Sequence, residues 1–406
     1  MRAVLPLALV LAVGCWRADD FRSKCVLAEH CVIPEVDAGF DAGLAPARWA
    51  EAASLLFDVA ADAGAEFDVQ FVSNLSASTD TMGQCRYAGG VLTRQGSVLC
   101  VPFAVNRAVE FLPDGGVTAT TINQPSGDSW AGGVMLDDGT VLALPVGATT
   151  MLVLPNPKEP FPTRNPDFLP IGLSAPAEFT GGARTLDGTL VAGATTSATF
   201  IRSDGGTRLL TGGTGAYAGA VLTESGRSVL LGPRTATRLI EVTPRSNVNP
   251  DRVTLRGSQA ISGVAGGLLL EDGDAFLMPS VAGGAFVRVP ADGGAPTSTT
   301  QVARTGLFSA AWSTNGYAYS LEVDGGTGQV AVISRSGDVT WARLPASATA
   351  PDAGFFFAGS HLGLTGMADG RLVSCGCLSP TILILTPRAR RTVPLEVMTT
   401  PWLNKW

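Results

Sequence analysis

A phrase of ten residues recurs seven times along the chain, and this repetition limits the fold more than any other feature of the sequence. Each copy starts with an aromatic or bulky residue, continues through a spacer, two small residues and four more residues, and closes with a turn pair that ends in Gly. The copies start at Tyr87, Trp130, Phe179, Tyr217, Val264, Leu307 and His361 and close at Gly96, Gly139, Gly188, Gly226, Gly273, Gly316 and Gly370. The closing glycines are 38 to 54 residues apart, which fits one four-stranded unit per copy. This pattern predicts a toroidal β-propeller.

The residues after each closing Gly indicate strands. Apolar residues follow two, three and five places later, as Val98, Leu99 and Val101 do after Gly96, and such a short run is typical of a buried strand leaving a turn. Several runs reach a Pro at which we expect ladder pairing to end, namely Pro102, Pro145, Pro233 and Pro279. Asp-Gly-Gly turns at 114–116, 204–206, 292–294 and 324–326 predict hairpins between the third and fourth strands, because Asp-Gly supplies positive φ angles.

We therefore expect an all-β protein whose residues 48–406 form one β-propeller of seven four-stranded blades, with six or eight blades as alternatives. Ring closure leaves two interpretations open. Residues 55–59 and 66–72 look like a third and a fourth strand that lack a first and a second. They either complete the last blade from the amino terminus or form an eighth, partial blade, although residues 391–397 already offer the last blade an outer strand.

The position of the phrase in a propeller accounts for its residue types. Innermost strands of neighbouring blades converge on the central axis, where small residues let backbones approach and bulky residues pack between sheets. The chain accordingly holds 49 Gly among 406 residues, about twice the ordinary share. His361 occupies the aromatic position of the seventh phrase, so we interpret it as a packing residue rather than a catalytic group.

The amino terminus carries a second specific signal. Arg2 precedes an apolar run from Ala3 to Val13, which is followed by Gly14 and Cys15. Residues 1–14 therefore read as a signal peptide, too short to span a bilayer. The segment 11–15 resembles the lipobox of bacterial lipoproteins, which implies cleavage before Cys15, lipidation of Cys15 and permanent anchoring in a membrane of the bacterial cell envelope. The alternative is an ordinary secretory signal that ends near a Cys. Residues 15–47 are rich in small residues without periodicity and are interpreted as a flexible tether.

Six cysteines remain once Cys15 is assigned to lipid, and an even number in an oxidising compartment indicates disulfides. Cys25 and Cys31 would close a small loop in the tether. Cys85 and Cys100 belong to the first blade, whereas Cys375 and Cys377 belong to the last. Because these blades are neighbours in a closed ring, a crosslink between the two sets would fasten the seam. The competing interpretation of 375–377 as a metal site is disfavoured by the one-residue spacing.

Motifs for chemistry are scarce in the sequence. Charged residues make up 16% of the chain and the net charge is −7 without a basic cluster, which argues against nucleic-acid binding. We find no nucleophile elbow and no phosphate-binding loop, and most Asp residues fall in turns. No catalytic, cofactor-binding or metal-binding residue is therefore assigned, and whether the chain is an enzyme stays open, with the balance toward binding.

The repeats resemble kelch-type propeller repeats, which also place a Gly pair beside aromatics in each blade, over roughly residues 87–397. The chain departs from that pattern in the period of the phrase and lacks the later kelch Tyr and Trp, so the resemblance implies a fold and no activity. We expect a monomeric, lipid-anchored module that binds a protein or glycan. The second hypothesis is a periplasmic or surface glycan-active hydrolase or lyase with its site at the channel mouth, and a third is a structural envelope protein. Ionisable side chains that converge in a pocket would favour the enzyme.

Overall fold

The computed structural model of the chain describes twenty separate ranges: 67–73, 85–123, 129–136, 138–155, 166–170, 177–186, 188–194, 198–201, 207–210, 215–244, 252–257, 261–304, 306–307, 309–313, 316–321, 328–344, 361, 363–377, 379 and 381–387. The signal peptide, the tether, Cys15, Cys25 and Cys31 lie outside these ranges, as do residues 55–59 and 391–397. The described residues form strands and turns and contain no helix, which confirms the all-β class. No helix long and apolar enough to cross a membrane occurs among them.

Each of the first six repeats contributes four consecutive strands. The first three repeats contain β2 (Tyr87–Leu92), β3 (Val98–Pro102), β4 (Arg107–Phe111) and β5 (Val117–Thr121); β6 (Trp130–Met135), β7 (Val141–Ala148), β8 (Thr150–Leu154) and β9 (Asp167–Pro170); and β10 (Ala177–Arg184), β11 (Leu190–Ala194), β12 (Ala198–Ile201) and β13 (Thr207–Leu210). The next three contain β14 (Tyr217–Leu222), β15 (Val229–Pro233), β16 (Leu239–Thr243) and β17 (Arg252–Arg256); β18 (Val264–Leu269), β19 (Ala275–Pro279), β20 (Ala285–Val289) and β21 (Thr297–Val302); and β22 (Ala311–Trp312), β23 (Ala318–Leu321), β24 (Gln329–Ile333) and β25 (Val339–Arg343).

The last repeat is completed from the other end of the chain. It contains β26 (Thr365–Gly366), β27 (Leu372–Ser374) and β28 (Thr381–Pro387), and its fourth strand is β1 (Phe67–Ser73). All seven residues of β1 pair antiparallel with β28, from Phe67 opposite Pro387 to Ser73 opposite Thr381. Of the two interpretations of residues 66–72, the structure therefore selects completion of the last blade from the amino terminus.

Hydrogen bonding groups the 28 described strands of the seven repeats into six sheets, which is the alternative count of six rather than the preferred seven separate blades. Five sheets have four strands, and one has eight because it joins the second and third repeats. The junction is the pairing of Ala177 with Ala148 and of Glu178 with Val146. Strand β7 does not end at Pro145 as expected but continues to Ala148, and this extension supplies the two residues that pair with β10.

The closing turn of the phrase has one geometry in all seven copies. The amide of the closing Gly donates to the carbonyl three residues earlier, as from Gly96 to Thr93 at 3.0 Å and from Gly370 to Met367 at 2.9 Å. The seven closing glycines have φ between +69° and +90°, a region that other L-residues avoid. The two Asp-Gly-Gly turns that are described, at 114–116 and 292–294, connect β4 to β5 and β20 to β21 as the sequence predicts.

The Gly pair of the phrase marks a bulge at a crowded place. In five repeats the pairing of the first two strands shifts register between the bulky first residue of the phrase and the second residue of its small pair. A Cβ atom on Gly133 would lie 2.6 Å from Leu142 O, and a Cβ on Gly267 would lie 2.5 Å from Val221 Cγ2 of the preceding repeat. These distances are far below ordinary contact, so Gly is required at Gly133 by the partner strand of the same blade and at Gly267 by the preceding blade.

Candidate functional site

The first strands of successive repeats pack against one another and surround the centre of the ring. Strands β2, β6, β14 and β18 are buried along their whole length. Their sequences consist of small and apolar residues and start with Tyr87, Trp130, Tyr217 and Val264. Burial raises the pKa of the Tyr217 hydroxyl, which favours its neutral form. These strands thus bring a packed, uncharged surface to the axis.

Two disulfides cross the seam between the first and the last repeat, where the sequence places both pairs of cysteines. Cys85 is bonded to Cys377, and Cys100 is bonded to Cys375. Cys100 and Cys375 are at most 1% exposed, whereas Cys85 is partly exposed. Because Cys375 and Cys377 are both taken by disulfides, they do not form the metal site considered as the alternative. Among the described residues, no group of three or more His, Cys, Asp or Glu side chains is arranged to hold a metal ion.

Hydrogen bonds also connect the first and last repeats at several points along the seam. The amides of Arg86 and Tyr87 donate to Cys377 O at 2.7 Å and to Gly376 O at 3.2 Å. Thr365 Oγ1 donates to Gly90 O at 3.0 Å. On the side of the closing turns, Arg371 donates to Pro113 O at 2.6 Å, and its guanidinium lies 5.4 Å from the centre of the Phe111 ring. The two ends of the propeller are therefore held by covalent, polar and cation–π contacts together.

His361 is buried in the last repeat at the position that the phrase assigns to a bulky residue. Its backbone forms an isolated bridge with Gly376, and its ring lies 6.1 Å from that of Phe71 in β1. The ring Nε2 is 3.1 Å from Thr381 O, to which it donates. Burial lowers the pKa of His361 to about 4, against the opposing effect of this hydrogen bond. The imidazole is thus neutral near pH 7 and is enclosed by the packing of the closing blade.

Four ionisable side chains converge at and beside the closing turns of the fourth and fifth repeats. Arg288 in β20 donates from Nε to Asp274 at 2.5 Å and from a terminal nitrogen to Asp272. Its other terminal nitrogen donates to Ser336 O at 3.2 Å, so the guanidinium ties the turns of two repeats. Glu224 of the preceding repeat completes the group, because a Cβ on Gly273 would lie 2.5 Å from Glu224 Oε2. We refer to Glu224, Asp272, Asp274 and Arg288 as the turn cluster.

Both Asp side chains of the turn cluster bind Arg288. Asp274 also accepts from the amide of Ala291 at 2.9 Å, and Asp272 accepts from the amide of Asp274 at 3.1 Å. The hydrogen bond with Asp274 raises the pKa of Arg288, so its charge is held more firmly. Glu224 differs, because burial and then the charges of Asp272 and Asp274 raise the pKa of its carboxyl. The arrangement can tie neighbouring turns together, and Glu224 is the group in it best suited to hold a transferable proton.

A further buried carboxyl lies in the first repeat. Glu110 in β4 is 6% exposed and accepts a hydrogen bond from Ser97, whose hydroxyl lies 2.5 Å from that of Thr93. Burial raises the pKa of Glu110, with the bond from Ser97 acting in the opposite direction. The three side chains join the closing turn of the phrase to the third strand of its own blade.

The sequence did not predict either acidic group, because Asp272 has the pattern of a turn residue and neither Glu224 nor Glu110 belongs to a recognisable motif. Alignment of the seven phrases contains part of the signal. Glu224 and Glu271 occupy the same phrase position in consecutive repeats, and consecutive repeats are neighbours in the ring. Arg288 lies in the third strand of the fifth repeat, outside the phrase, so the phrase does not predict its contacts with Asp272 and Asp274.

The comparisons with known proteins agree with the fold. No protein family and no curated protein matches the sequence. Among solved structures, a streptogramin B lyase is 13% identical with a TM-score of 0.61, covering 81% of this chain and 100% of its own. A catalytically inactive histidine-to-alanine variant of virginiamycin B lyase from Staphylococcus aureus with quinupristin is 12% identical with a TM-score of 0.62, covering 79% and 99%. The WD40 β-propeller domain of Doa1 is 15% identical with a TM-score of 0.52, covering 78% and 96%. At these identities the likeness shows a β-propeller and carries no activity.

Proposed function

We propose that this chain is a lipid-anchored β-propeller of the bacterial cell envelope that binds a protein or glycan on one of its faces. The residues that surround the central axis provide the observation that supports binding. Four inner strands are buried throughout and made of small and apolar residues, and the converging charges of the turn cluster largely bind one another. Such a body presents loops on a rigid ring, which is how many propellers recognise partners.

The anchor is proposed from the sequence of the amino terminus. Cys15 follows a short apolar segment that resembles a lipobox, and lipidation would place the propeller on a membrane at the end of the 15–47 tether. Labelling with a palmitate analogue tests it. We expect label and membrane fractionation in the full chain, loss of both in Cys15→Ala, and retention of both in the matched control Cys31→Ala. Unchanged fractionation of Cys15→Ala would exclude the anchor.

Binding is tested with a panel of cell-envelope oligosaccharides and envelope protein extracts applied to the immobilised full chain. We expect one fraction to be retained, to compete with its own free form and to be recovered chemically unchanged. If the retained fraction is recovered as shorter or unsaturated fragments, the chain is an enzyme rather than a binding module.

The second candidate function is a glycan-active hydrolase or lyase. Glu224 supports it, because a carboxyl whose pKa is raised by burial and by Asp272 and Asp274 is suited to general acid or base catalysis. The virginiamycin B lyase structures share only the fold with this chain. If fragments are released, Glu224→Gln must abolish their release while an exposed control, Arg227→Gln, leaves it unchanged; equal activity of both variants would exclude Glu224.

A further inference from the structure

The outermost strands of the propeller differ in how their open edges are protected. Exposed sheet edges are templates for another strand, and natural proteins protect them with charges, Pro or bulges. Five of the seven outermost strands carry a charge: Asp68 in β1, Asp167 in β9, Arg208 in β13, Arg252 and Arg256 in β17, and Arg343 in β25. The other two, β5 and β21, contain neither a charge nor a Pro.

Strand β21 is protected by a different device. Its pairing with β20 passes from Ala285 opposite Val302 to Val287 opposite Ser298, so β21 contains a bulge. In β5 the pairing with β4 is regular for all five residues, from Phe111 opposite Val117 to Arg107 opposite Thr121. Thr118, Ala119 and Thr121 are exposed. Strand β5 therefore has an unprotected edge with the regular geometry that strand addition needs.

The hydrogen bonds at both ends of β5 show which of its backbone groups face outward. Leu112 N donates to Gly116 O at 2.8 Å, and Ile122 N donates to Asn106 O at 2.7 Å, so the even-numbered residues face β4. Because successive residues of a strand point their backbone groups to opposite sides, the amides and carbonyls of Val117, Ala119 and Thr121 face away from β4. No described strand pairs with this edge.

We propose that the β5 edge pairs antiparallel with β5 of a second copy of the chain, across a two-fold axis at Ala119. In this register Ala119 lies opposite its own copy, Val117 lies opposite Thr121, and Thr118 lies opposite Thr120. All three outward-facing residues then form hydrogen-bonded pairs, giving six backbone hydrogen bonds across the axis.

The absence of charge in β5 is what makes a second copy the fitting occupant. A two-fold axis places equivalent strands opposite each other, so charges near the axis would meet like charges, as Arg252 and Arg256 would in β17. In β5 the opposed side chains are Thr, Val and Ala, and Thr pairs and β-branched pairs stabilise antiparallel ladders. One short ladder is far smaller than a standard interface, so the dimer is weak and exchanges rapidly.

Introducing a charge at residue 119, on the two-fold axis, tests the proposal. We expect the full chain, in non-ionic detergent, to show concentration-dependent sedimentation between micromolar and millimolar protein. Ala119→Lys and Ala119→Glu each place like charges opposite each other and should weaken association by about tenfold or more. An equimolar mixture of the two variants pairs opposite charges and should restore association. Ser298→Lys, in the bulged and equally uncharged β21, is the matched control and should behave as the unmodified chain.

Hydrogen exchange supplies a second measurement on the same samples. The outward amides of β5 should become protected as protein concentration rises, and the thermal unfolding of all variants should stay unchanged because residue 119 is exposed. The proposal is overturned if the chain sediments as a monomer at millimolar concentration. It is also overturned if association persists in Ala119→Lys. It is overturned as well if mixing the two variants fails to restore association, because binding of a different protein strand to this edge would not respond to mixing.

Discussion

Gly219 shows how strongly one position in the phrase depends on having no side chain. Its φ is +69°, and a Cβ atom would lie 1.9 Å from Ala265 O of the next repeat. Gly283 offers the matched comparison, because its φ is +76° but no atom lies within 4 Å of its added Cβ. The two positions share the backbone strain of a side chain in the left-handed region and differ only in crowding.

We predict that Gly219→Ala destabilises the protein much more than Gly283→Ala. Backbone strain should cost about 1 kcal/mol at both positions, and crowding at Gly219 should add about 1 to 3 kcal/mol because backbone of the next blade must move. Thermal melting of both variants measures the difference. Equal melting temperatures would show that the blades can separate at the axis without cost.

His361 makes stability depend on pH in a defined window. Its pKa falls from 6.5 to about 4 on folding, so between these values the unfolded chain binds more protons and stability decreases as pH falls. The stabilisation that comes from this pKa difference is fully present above about pH 6.5, and its complete loss at low pH lowers the free energy of unfolding by about 3 kcal/mol. His361→Phe keeps a ring at this phrase position and should reduce the loss of stability between pH 6.5 and 4. Comparison of the variant with the parent is needed because Glu110 titrates in the opposite sense. Parallel melting profiles of the two proteins would contradict the burial of a neutral imidazole.

At the scale of elements, the strands and turns of the repeats follow from the sequence because each is encoded locally. The turn glycines, the two described Asp-Gly-Gly hairpins and the four-strand repeat appear where the pattern places them. Pro145 fails as a strand end because β7 continues to Ala148 and pairs there with β10 of the third repeat. The joining of the second and third repeats and the turn cluster depend on where neighbouring repeats touch, which one repeat does not encode.

The seam joins the first and last repeats, and we predict that the stabilisation from its two disulfides is not additive. A disulfide spanning 275 or 292 residues should stabilise the fold by about 5 kcal/mol when it closes the ring alone. Once one is formed, the second closes only the short path through both cysteine pairs and should add about 3 kcal/mol. Removing one pair, Cys85→Ser with Cys377→Ser, should therefore cost less than removing all four cysteines. Chemical denaturation of the single-pair and double-pair variants measures this, and equal stabilities of all three proteins would show that the hydrogen bonds of the seam suffice.

For the whole molecule, ring closure should determine cooperativity. In an open array each repeat contacts only its neighbours and terminal repeats can unfold first, whereas a covalently closed ring has no terminal repeat. We predict a single sharp thermal transition for the oxidised protein and a broader transition after reduction in the folded state, beginning with exposure of the closing blade. Calorimetry with and without a thiol reductant tests this. A transition of unchanged width after reduction would show that β1 and β28 alone are sufficient to couple the ends.

The pairing of β1 with β28 has a mechanical consequence for a chain held at its amino terminus. A pull from that side reaches β1 first and loads its seven-residue ladder with β28. If the ladder separates, the chain can extend only as far as Cys85, because there it is covalently bonded to Cys377. The force then passes through a sulfur–sulfur bond into the last repeat, and the covalent circle from residue 85 to residue 377 stays closed. Tension applied from the amino terminus can therefore separate β1 from β28, but it does not open the ring.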